Sequence, residues 1–329
     1  MTQELVGSDI LQYRVVPDWD QLPDGWSHPD VPGVAVDSED RVFLFTRTEH
    51  PVMVFDGEGG LIETWGSNDF VKPHHITITE DDHIFCVDKD SHVVHKYSLD
   101  GTRVLTIGHE GEASNTGYEA PDYLTVQRAA GPFNQPTKAA IAADGSIFVA
   151  DGYGNTRVHR FSPDGEHLFS WGSPGTGIGE FHIPHSIAID SDDRILVADR
   201  ENARIQIFDL EGKFLEQWTE MARPDDLAVG RDGRVYIAEL GRYAGRYAAT
   251  PPDSSDALPS NVSVWDPDGY LVARWGGREY CSPGSFFAPH GIAVDSKGNI
   301  FVTEANWSGG GKDGKIPPDC HTVQKFEPV

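Results

Sequence analysis

Apolar and polar positions along the chain recur in one grammar. Six segments carry it: Pro32-Gly-Val-Ala-Val-Asp37, Pro73-His-His-Ile-Thr-Ile78, Pro136-Thr-Lys-Ala-Ala-Ile141, Pro184-His-Ser-Ile-Ala-Ile189, Pro224-Asp-Asp-Leu-Ala-Val229 and Pro289-His-Gly-Ile-Ala-Val294. Each runs through a turn such as Ala143-Asp-Gly145, Arg231-Asp-Gly233 or Ser296-Lys-Gly298 into a second apolar run, for example Ile147-Phe-Val-Ala150 or Ile300-Phe-Val-Thr303. The pattern predicts two strands joined by a tight hairpin. In most units another pair follows, as in Val158-His-Arg-Phe161, Pro163-Asp-Gly165 and His167 to Gly172, with parallels at Ile205 to Trp218 and Val262 to Trp275.

Four short antiparallel strands per unit, six times over, predict an all-β six-bladed propeller as a single domain over residues 1–329. The prolines that open the units lie 41, 63, 48, 40 and 65 residues apart, a core period of about 40 with insertions. After Val323-Gln-Lys-Phe326 the chain stops before an outer strand can form, while Leu11 to Val16 precedes the first unit without a strand partner. The N-terminal stretch is therefore expected to complete the last blade, which removes an open sheet edge.

Composition narrows the partners. The 329 residues carry 26 basic and 52 acidic side chains, a formal net charge of −26. Phosphate surfaces are bound by clustered Lys and Arg, so nucleic acid and anionic membranes are disfavoured. No long apolar run and no basic leader with an apolar stretch behind it is visible, and a cytoplasmic location is the default expectation. Cys86, Cys281 and Cys320 have no C-x-x-C spacing and are expected to be packing residues.

The functional face follows from the insertions. In a propeller the first strand of a blade lines the channel, and the loop after the second strand returns to the same mouth. The segments Gly108 to Gln135, Gly241 to Ser260 and Asn306 to Thr322 all fall on that face, where loops vary with function. Whether their tyrosines, Tyr118, Tyr123, Tyr243 and Tyr247, form a lid is left open by the sequence.

The residue after the repeat proline is Gly33, His74, Thr137, His185, Asp225 and His290 in turn. Histidine in alternate units of a six-fold ring would converge as a three-fold set, the ligand arrangement of a catalytic zinc site. Nitrogen-only ligation disfavours calcium and magnesium there. The competing interpretation is that each imidazole bonds backbone around the channel. The remaining histidines, among them His75, His92, His159 and His321, share no such pattern and are expected at the surface or in loops.

Arg47, Lys89, Tyr153 and Arg200 follow the second strands of units one to four. A phenol beside cations has its ionised form favoured and can act as a base, and a guanidinium can hold a substrate carboxylate. Alternatively the arginines balance nearby acids such as Glu49, Asp151 and Glu201.

The stretches Pro73 to Asp88, Phe133-Asn-Gln-Pro-Thr137 through Asp151-Gly-Tyr-Gly-Asn-Thr-Arg157, and Pro184 through Gln206 resemble the NHL-repeat propeller of peptidyl-α-hydroxyglycine α-amidating lyase. The resemblance implies zinc on His74, His185 and His290, Tyr153 as catalytic base, and Arg47 and Arg200 in the active site, with Arg47 holding the carboxylate of an anionic, peptide-like or small-molecule substrate; Lys89 is expected beside that substrate from its position alone. The implied reaction breaks the C–N bond of a carbinolamide to give an amide and glyoxylate. It also implies a structural calcium on the backbone carbonyls of Val34 and Ile76 plus an Asp, but Gly291 stands where that Asp is expected. Gly154 likewise replaces a disulfide cysteine. No monooxygenase domain lies within the sequence, so a separate hydroxylating enzyme upstream is expected. Two other functions stay open: a non-catalytic propeller that binds a protein or peptide at its mouth, and a metal-dependent hydrolase at the same site.

Overall fold

The computed structural model describes residues 4–241 and 258–329. The chain is all-β, built of six β-propeller blades. They fall into two compact units, Asn68–Met221 on the one hand and Met1–Ser67 with Ala222–Val329 on the other.

The unit from Asn68 to Met221 holds three four-stranded antiparallel sheets. Pro73–Ile78, Ile84–Asp88, Val93–Tyr97 and Arg103–Gly108 form the first. Pro136–Ile141, Ile147–Asp151, Arg157–Phe161 and His167–Trp171 form the second, and Pro184–Ile189, Ile195–Asp199, Arg204–Phe208 and Phe214–Trp218 the third. The opening strands of these three sheets pack against one another. Middle strands are buried on both faces, as in Ile195–Asp199, whereas the outermost strand Phe214–Trp218 alternates. That is why the second strand of each unit reads as an unbroken apolar run and the fourth as a mixed one. Between the second and third sheets Phe148, Val158, Phe181, Ile187, Val197 and Phe208 form a packed cluster.

The other unit holds two further four-stranded sheets, from Gly33–Val36 to Leu61–Trp65 and from Pro224–Val229 to Leu271–Trp275. Its third sheet has five strands: Pro289–Val294, Ile300–Glu304, Val323–Pro328, Gln12–Val16 and Leu5–Gly7. Gln12–Val16 pairs antiparallel with the C-terminal strand, Val15 opposite Phe326. Tyr13 and Val15 enter one core cluster with Tyr236, Trp275, Ile292 and Phe326. The hairpin turns explain their own composition. At Asp295 the carboxylate Oδ1 accepts from the backbone N–H of Lys297 at 2.9 Å and of Asn299 at 2.8 Å, and Gly298 takes φ +82°.

Of the inserted segments, residues 109–135 carry a 3-10 turn at Tyr123–Thr125, and residues 306–322 carry a short helix at Asn306–Gly309. Most of the segment Gly241 to Ser260 lies outside the described residues, with Tyr243 and Tyr247 in it. One expectation from the cysteines is overturned. Cys281 and Cys320 form a disulfide, because the chain brings them within 5.0 Å at Cα despite a sequence separation of 39. Only Cys86 is a packing residue, fully enclosed, with burial pushing its thiol well up. No helix among the described residues is long and apolar enough to cross a membrane.

Candidate active site

The position after each repeat proline has a structural identity that the pattern alone does not reveal. Pro184 pairs with Asp199 but Ser186 pairs with Ala198, so His185 sits in a β-bulge. The same register shift occurs after Pro136, Pro224 and Pro289, and after Pro73 a wider one spans both His74 and His75. A bulge releases one side chain from the alternation of the strand and re-aims it. His74, Thr137, His185, Asp225 and His290 are the residues so placed, all buried.

Within the unit from Asn68 to Met221 the bulges bring His74 and His185 together, ring centroids 4.8 Å apart. The Nδ1 of His74 lies 2.8 Å from the Thr137 carbonyl oxygen. A carbonyl only accepts, so this nitrogen carries the proton and Nε2 is left with its lone pair. His290, in the other unit, repeats the device: its Nδ1 donates to the Pro32 carbonyl at 2.7 Å. A backbone carbonyl that fixes the tautomer in this way is the usual support of a metal-ligating histidine.

Tyr153 stands on the turn after Ile147–Asp151. Its hydroxyl lies 2.7 Å from His185 Nε2 and 3.3 Å from His74 Nε2. The turn can pass this closely because glycine flanks the tyrosine on both sides. A Cβ at Gly152 would fall 2.2 Å from the Pro184 carbonyl oxygen, and one at Gly154 only 2.1 Å from Asn134 Oδ1. The loop is held from below by Asp151, whose two carboxylate oxygens each accept the Asn134 N–H at 3.0 Å. Asn155 and His159 bond the same carboxylate.

Two cations meet the tyrosine. Arg200, buried in the 3-10 turn after Ile195–Asp199, has Nη1 3.4 Å from the Tyr153 hydroxyl and its guanidinium carbon 5.5 Å from the ring centroid. Lys89 Nζ lies 5.1 Å from the same centroid and is ion-paired with Asp90. Arg200 also pairs with Glu201 at 3.0 Å, so it serves both the site and charge balance. Arg47, in the other unit, is oriented by Asp30 at 3.3 Å and Ser308 at 2.9 Å, while the exposed Glu49 carboxylate lies 3.8 Å from His50.

Several side chains lie elsewhere than the pattern predicts. His75 and His159 are not at the surface: both are buried, His75 with Nδ1 2.9 Å from His74 Nδ1 and His159 against Asp151. His92 and His321, by contrast, do sit in a turn and a loop: His92 is half-buried and accepts the Gln135 N–H, and His321 lies on Glu304 at 3.3 Å. Tyr123, from the insertion, packs its ring 4.8 Å from that of Tyr153, and Tyr118 stacks on Tyr123 at 5.7 Å. No periodicity marks these two tyrosines, because the insertion lies outside the repeat.

His74 and His185, together in one unit, and His290 in the other are buried histidines of the kind that ligates a metal ion. Three neutral imidazoles, two with Nδ1 capped by a carbonyl, suit zinc. The calcium expectation does not fit. A Cβ at Gly291 would lie 2.5 Å from Thr303 Oγ1 and 3.1 Å from the Val34 nitrogen, so a side chain there would displace the Thr303 hydroxyl and crowd the neighbouring backbone. Without it only the neutral Val34 and Ile76 carbonyls would remain, too little charge for a calcium ion.

The fold is a six-bladed β-propeller, and within it the NHL repeat family matches residues 181–208, which include His185 and Arg200. The chain is a relative, at about 30% identity over most of its length, of proteins named for α-amidation and of NHL repeat-containing proteins. It is 30% identical over 286 residues to peptidyl-glycine alpha-amidating monooxygenase B of Xenopus laevis, covering 82% of this chain and 30% of that one. It is 29% identical to peptidyl-alpha-hydroxyglycine alpha-amidating lyase 1 of Drosophila melanogaster, covering 78% and 47%. Human NHL repeat-containing protein 3 is 29% identical, covering 90% and 82%. The chain thus spans less than a third of the amidating monooxygenase it matches and under half of the lyase. A crystal structure of a Bacteroides thetaiotaomicron protein of unknown function shares the fold, with a TM-score of 0.63 at 16% identity over 99% of this chain and 76% of that one.

Proposed function

We propose that this protein is a zinc-dependent carbon–nitrogen lyase that cleaves an α-hydroxylated amide to a primary amide and glyoxylate. The observation that carries this reading is the Tyr153 hydroxyl, within hydrogen-bond reach of the Nε2 atoms of both His74 and His185 and next to Arg200. His74, His185 and His290 would hold the metal. Bound there, zinc supplies Lewis acidity toward a substrate hydroxyl. Tyr153 takes the proton from the carbinol oxygen; the C–N bond breaks as the carbon–oxygen bond becomes a carbonyl, and the same proton returns to the departing amide nitrogen. The step consumes no water, which separates it from hydrolysis. Arg200 and Lys89 present positive charge to an oxygen that becomes anionic on giving up its proton, and Arg47 and Arg200 are the groups able to bind the substrate carboxylate. Such a substrate has to be hydroxylated beforehand, in a reaction of a different class from the lyase step.

A second reading has support in the similarity to NHL repeat-containing protein 3, which this chain covers more fully than it covers the lyase. In that reading the propeller is a non-catalytic binding module. One experiment separates them: metal analysis of the purified chain, followed by incubation with N-benzoyl-α-hydroxyglycine in zinc-containing buffer. The lyase reading expects about one zinc per chain and equimolar benzamide and glyoxylate. Zinc below about a tenth of that, with no glyoxylate, refutes it.

A further inference from the structure

The polar groups beneath the Tyr153 turn do not stop at Asp151. In the second sheet of the unit from Asn68 to Met221, His159 pairs with Val149 on one side and Ser170 on the other, and is wholly buried. Its Nε2 lies 3.3 Å from Asp151 Oδ2 and its Nδ1 2.7 Å from Ser170 Oγ. The same Ser170 oxygen lies 2.7 Å from Nε2 of His167, an exposed residue of the outermost strand. Four side chains thus run from solvent to the carboxylate that holds the turn.

Chemistry fixes the order of donation. A carboxylate only accepts, so His159 Nε2 carries a proton. In the neutral imidazole Nδ1 is then an acceptor and takes the single Ser170 hydroxyl hydrogen, which leaves the Ser170 oxygen to accept from His167 Nε2. Every bond points toward Asp151. The next sheet shows that such a chain is not needed to support the carboxylate. There Gln206, paired with Val197, takes the place of His159, and its amide donates to Asp199 Oδ2 at 3.3 Å. An amide holds a carboxylate without taking up protons, so support alone does not account for an imidazole backed by a serine and a second imidazole.

We propose that His167, Ser170 and His159 form a relay that makes the positioning of Tyr153 acid-sensitive. His167 takes a proton from solvent at Nδ1 and passes its Nε2 proton to the Ser170 oxygen, while the Ser170 hydroxyl proton moves to His159 Nδ1. One proton enters at His167 and one is gained by His159; His167 and Ser170 end neutral. The His159 imidazolium then draws Asp151 into a charge-assisted bond of about 2.7–2.9 Å in place of the present 3.3 Å. Asp151 Oδ2 also accepts from the Asn134 N–H at 3.0 Å and from Asn155 Nδ2 at 2.7 Å. Both residues hold the turn, Asn134 through its carbonyl, which accepts the Gly154 N–H at 2.9 Å, and Asn155 as the residue directly after it. A carboxylate displaced toward His159 loosens both, and Tyr153 with them. Charged and titratable groups bear on the chain from each side. Burial first, and then the charges of His159 and Arg157, lower the His167 pKa below the ordinary 6.5, so His167 loads only in acid. His92, from the first sheet, feels the Asp151 charge, and Phe133 and Phe161 add apolar rings beside His159. The relay rests on the lyase reading only for what Tyr153 does, not for how it is held.

The test follows amide hydrogen exchange by NMR in the full chain in zinc-containing buffer, corrected for the intrinsic pH dependence of exchange. Tyr153 donates its N–H to the Gln135 carbonyl at 3.3 Å, and Arg200 donates its own to the Ile183 carbonyl at 3.1 Å in the sheet that carries Gln206. Arg200 is therefore the internal reference. Between about pH 7.5 and 5.5 the protection of Tyr153 and Gly154 relative to Arg200 should fall about fivefold in the wild type, the worth of one hydrogen bond. His159→Gln, which copies the next sheet, should abolish that fall and keep the ratio at about pH 7.5 within about twofold of wild type. Ser170→Ala should abolish it too, because a His159 imidazolium would then bury an N–H without an acceptor. A wild-type ratio that stays flat or rises in acid, or a fall that persists in His159→Gln or Ser170→Ala, overturns the relay. Glyoxylate release from N-benzoyl-α-hydroxyglycine is measured on the same samples. Acid-dependent protection without any glyoxylate sinks the reaction and leaves the relay standing, whereas glyoxylate release with acid-independent protection sinks the relay alone.

Discussion

Replacing Tyr153 with phenylalanine removes one oxygen and leaves the ring against Tyr123 and both cations. The lost hydroxyl contacts His185 at 2.7 Å, His74 at 3.3 Å and Arg200 at 3.4 Å. For folding this is a small change. The net value of such a hydrogen bond is about 1 kcal/mol, worth about 1–2 °C in Tm for a chain of this size. For catalysis it is a large one, because the chain would lose the group that carries the proton from oxygen to nitrogen. Positioned acid–base catalysis contributes about 10²–10⁴-fold, equivalent to about 3–5 kcal/mol in the barrier at 1.36 kcal/mol per factor of ten. The assay is initial-rate glyoxylate release from N-benzoyl-α-hydroxyglycine, with zinc content and Tm measured on the same preparations. The expectation is kcat down by about 10²–10⁴, KM within about threefold, and zinc content unchanged, since no ligand is altered. A variant that keeps kcat within about fivefold of wild type at full zinc occupancy would show that Tyr153 is not the base. If zinc were lost together with activity, the hydroxyl would belong to the metal site instead.

Two further outcomes concern the unit that holds His290. The Cys281–Cys320 disulfide closes a separation of 39 residues, for which chain entropy predicts about 4 kcal/mol of stabilisation; the double Cys→Ala variant should lose that much in urea unfolding. Alkylation of the unfolded, non-reduced chain should label Cys86 alone, and three labelled cysteines would refute the pairing. His321 supplies a pH test. Burial by itself lowers an imidazole, but the Glu304 carboxylate at 3.3 Å outweighs it, and the His321 pKa is raised above the ordinary 6.5. The folded chain therefore holds this proton more tightly than the unfolded one. The resulting stability is fully present below 6.5 and is lost as pH rises through the raised value. Wild-type Tm should accordingly fall more between pH 6 and 8 than that of His321→Gln, and parallel curves would remove the contribution.

The blades and the bulge residues were legible because a propeller repeats. A strand buried on both faces writes an apolar run such as Ile195-Leu-Val-Ala198, and a hairpin writes Asp-Gly. Recurrence at about 40 residues then makes His74, His185 and His290 equivalent positions on pattern alone. Tyr153 and Arg200 were legible as occupants of matching positions after second strands. Their chemistry was less so, since an arginine reads the same whether it faces Glu201 or a phenol. The Gly-Tyr-Gly turn had a reason that no pattern states, the approach of the Pro184 carbonyl and of Asn134 to the turn.

What the sequence by itself determined was the all-β architecture, its six-fold repeat and the positions from which side chains leave the strands. These follow from local alternation and turn chemistry, which depend on neighbours a few residues away. Tertiary structure alone decided that His75 and His159 are buried, that Cys281 meets Cys320, that a side chain at Gly291 would collide with Thr303, and that Tyr123 from an irregular insertion packs against Tyr153. Each of those depends on which distant backbone lies within a few ångströms, and a contact between segments far apart in the chain leaves no period in the sequence of either.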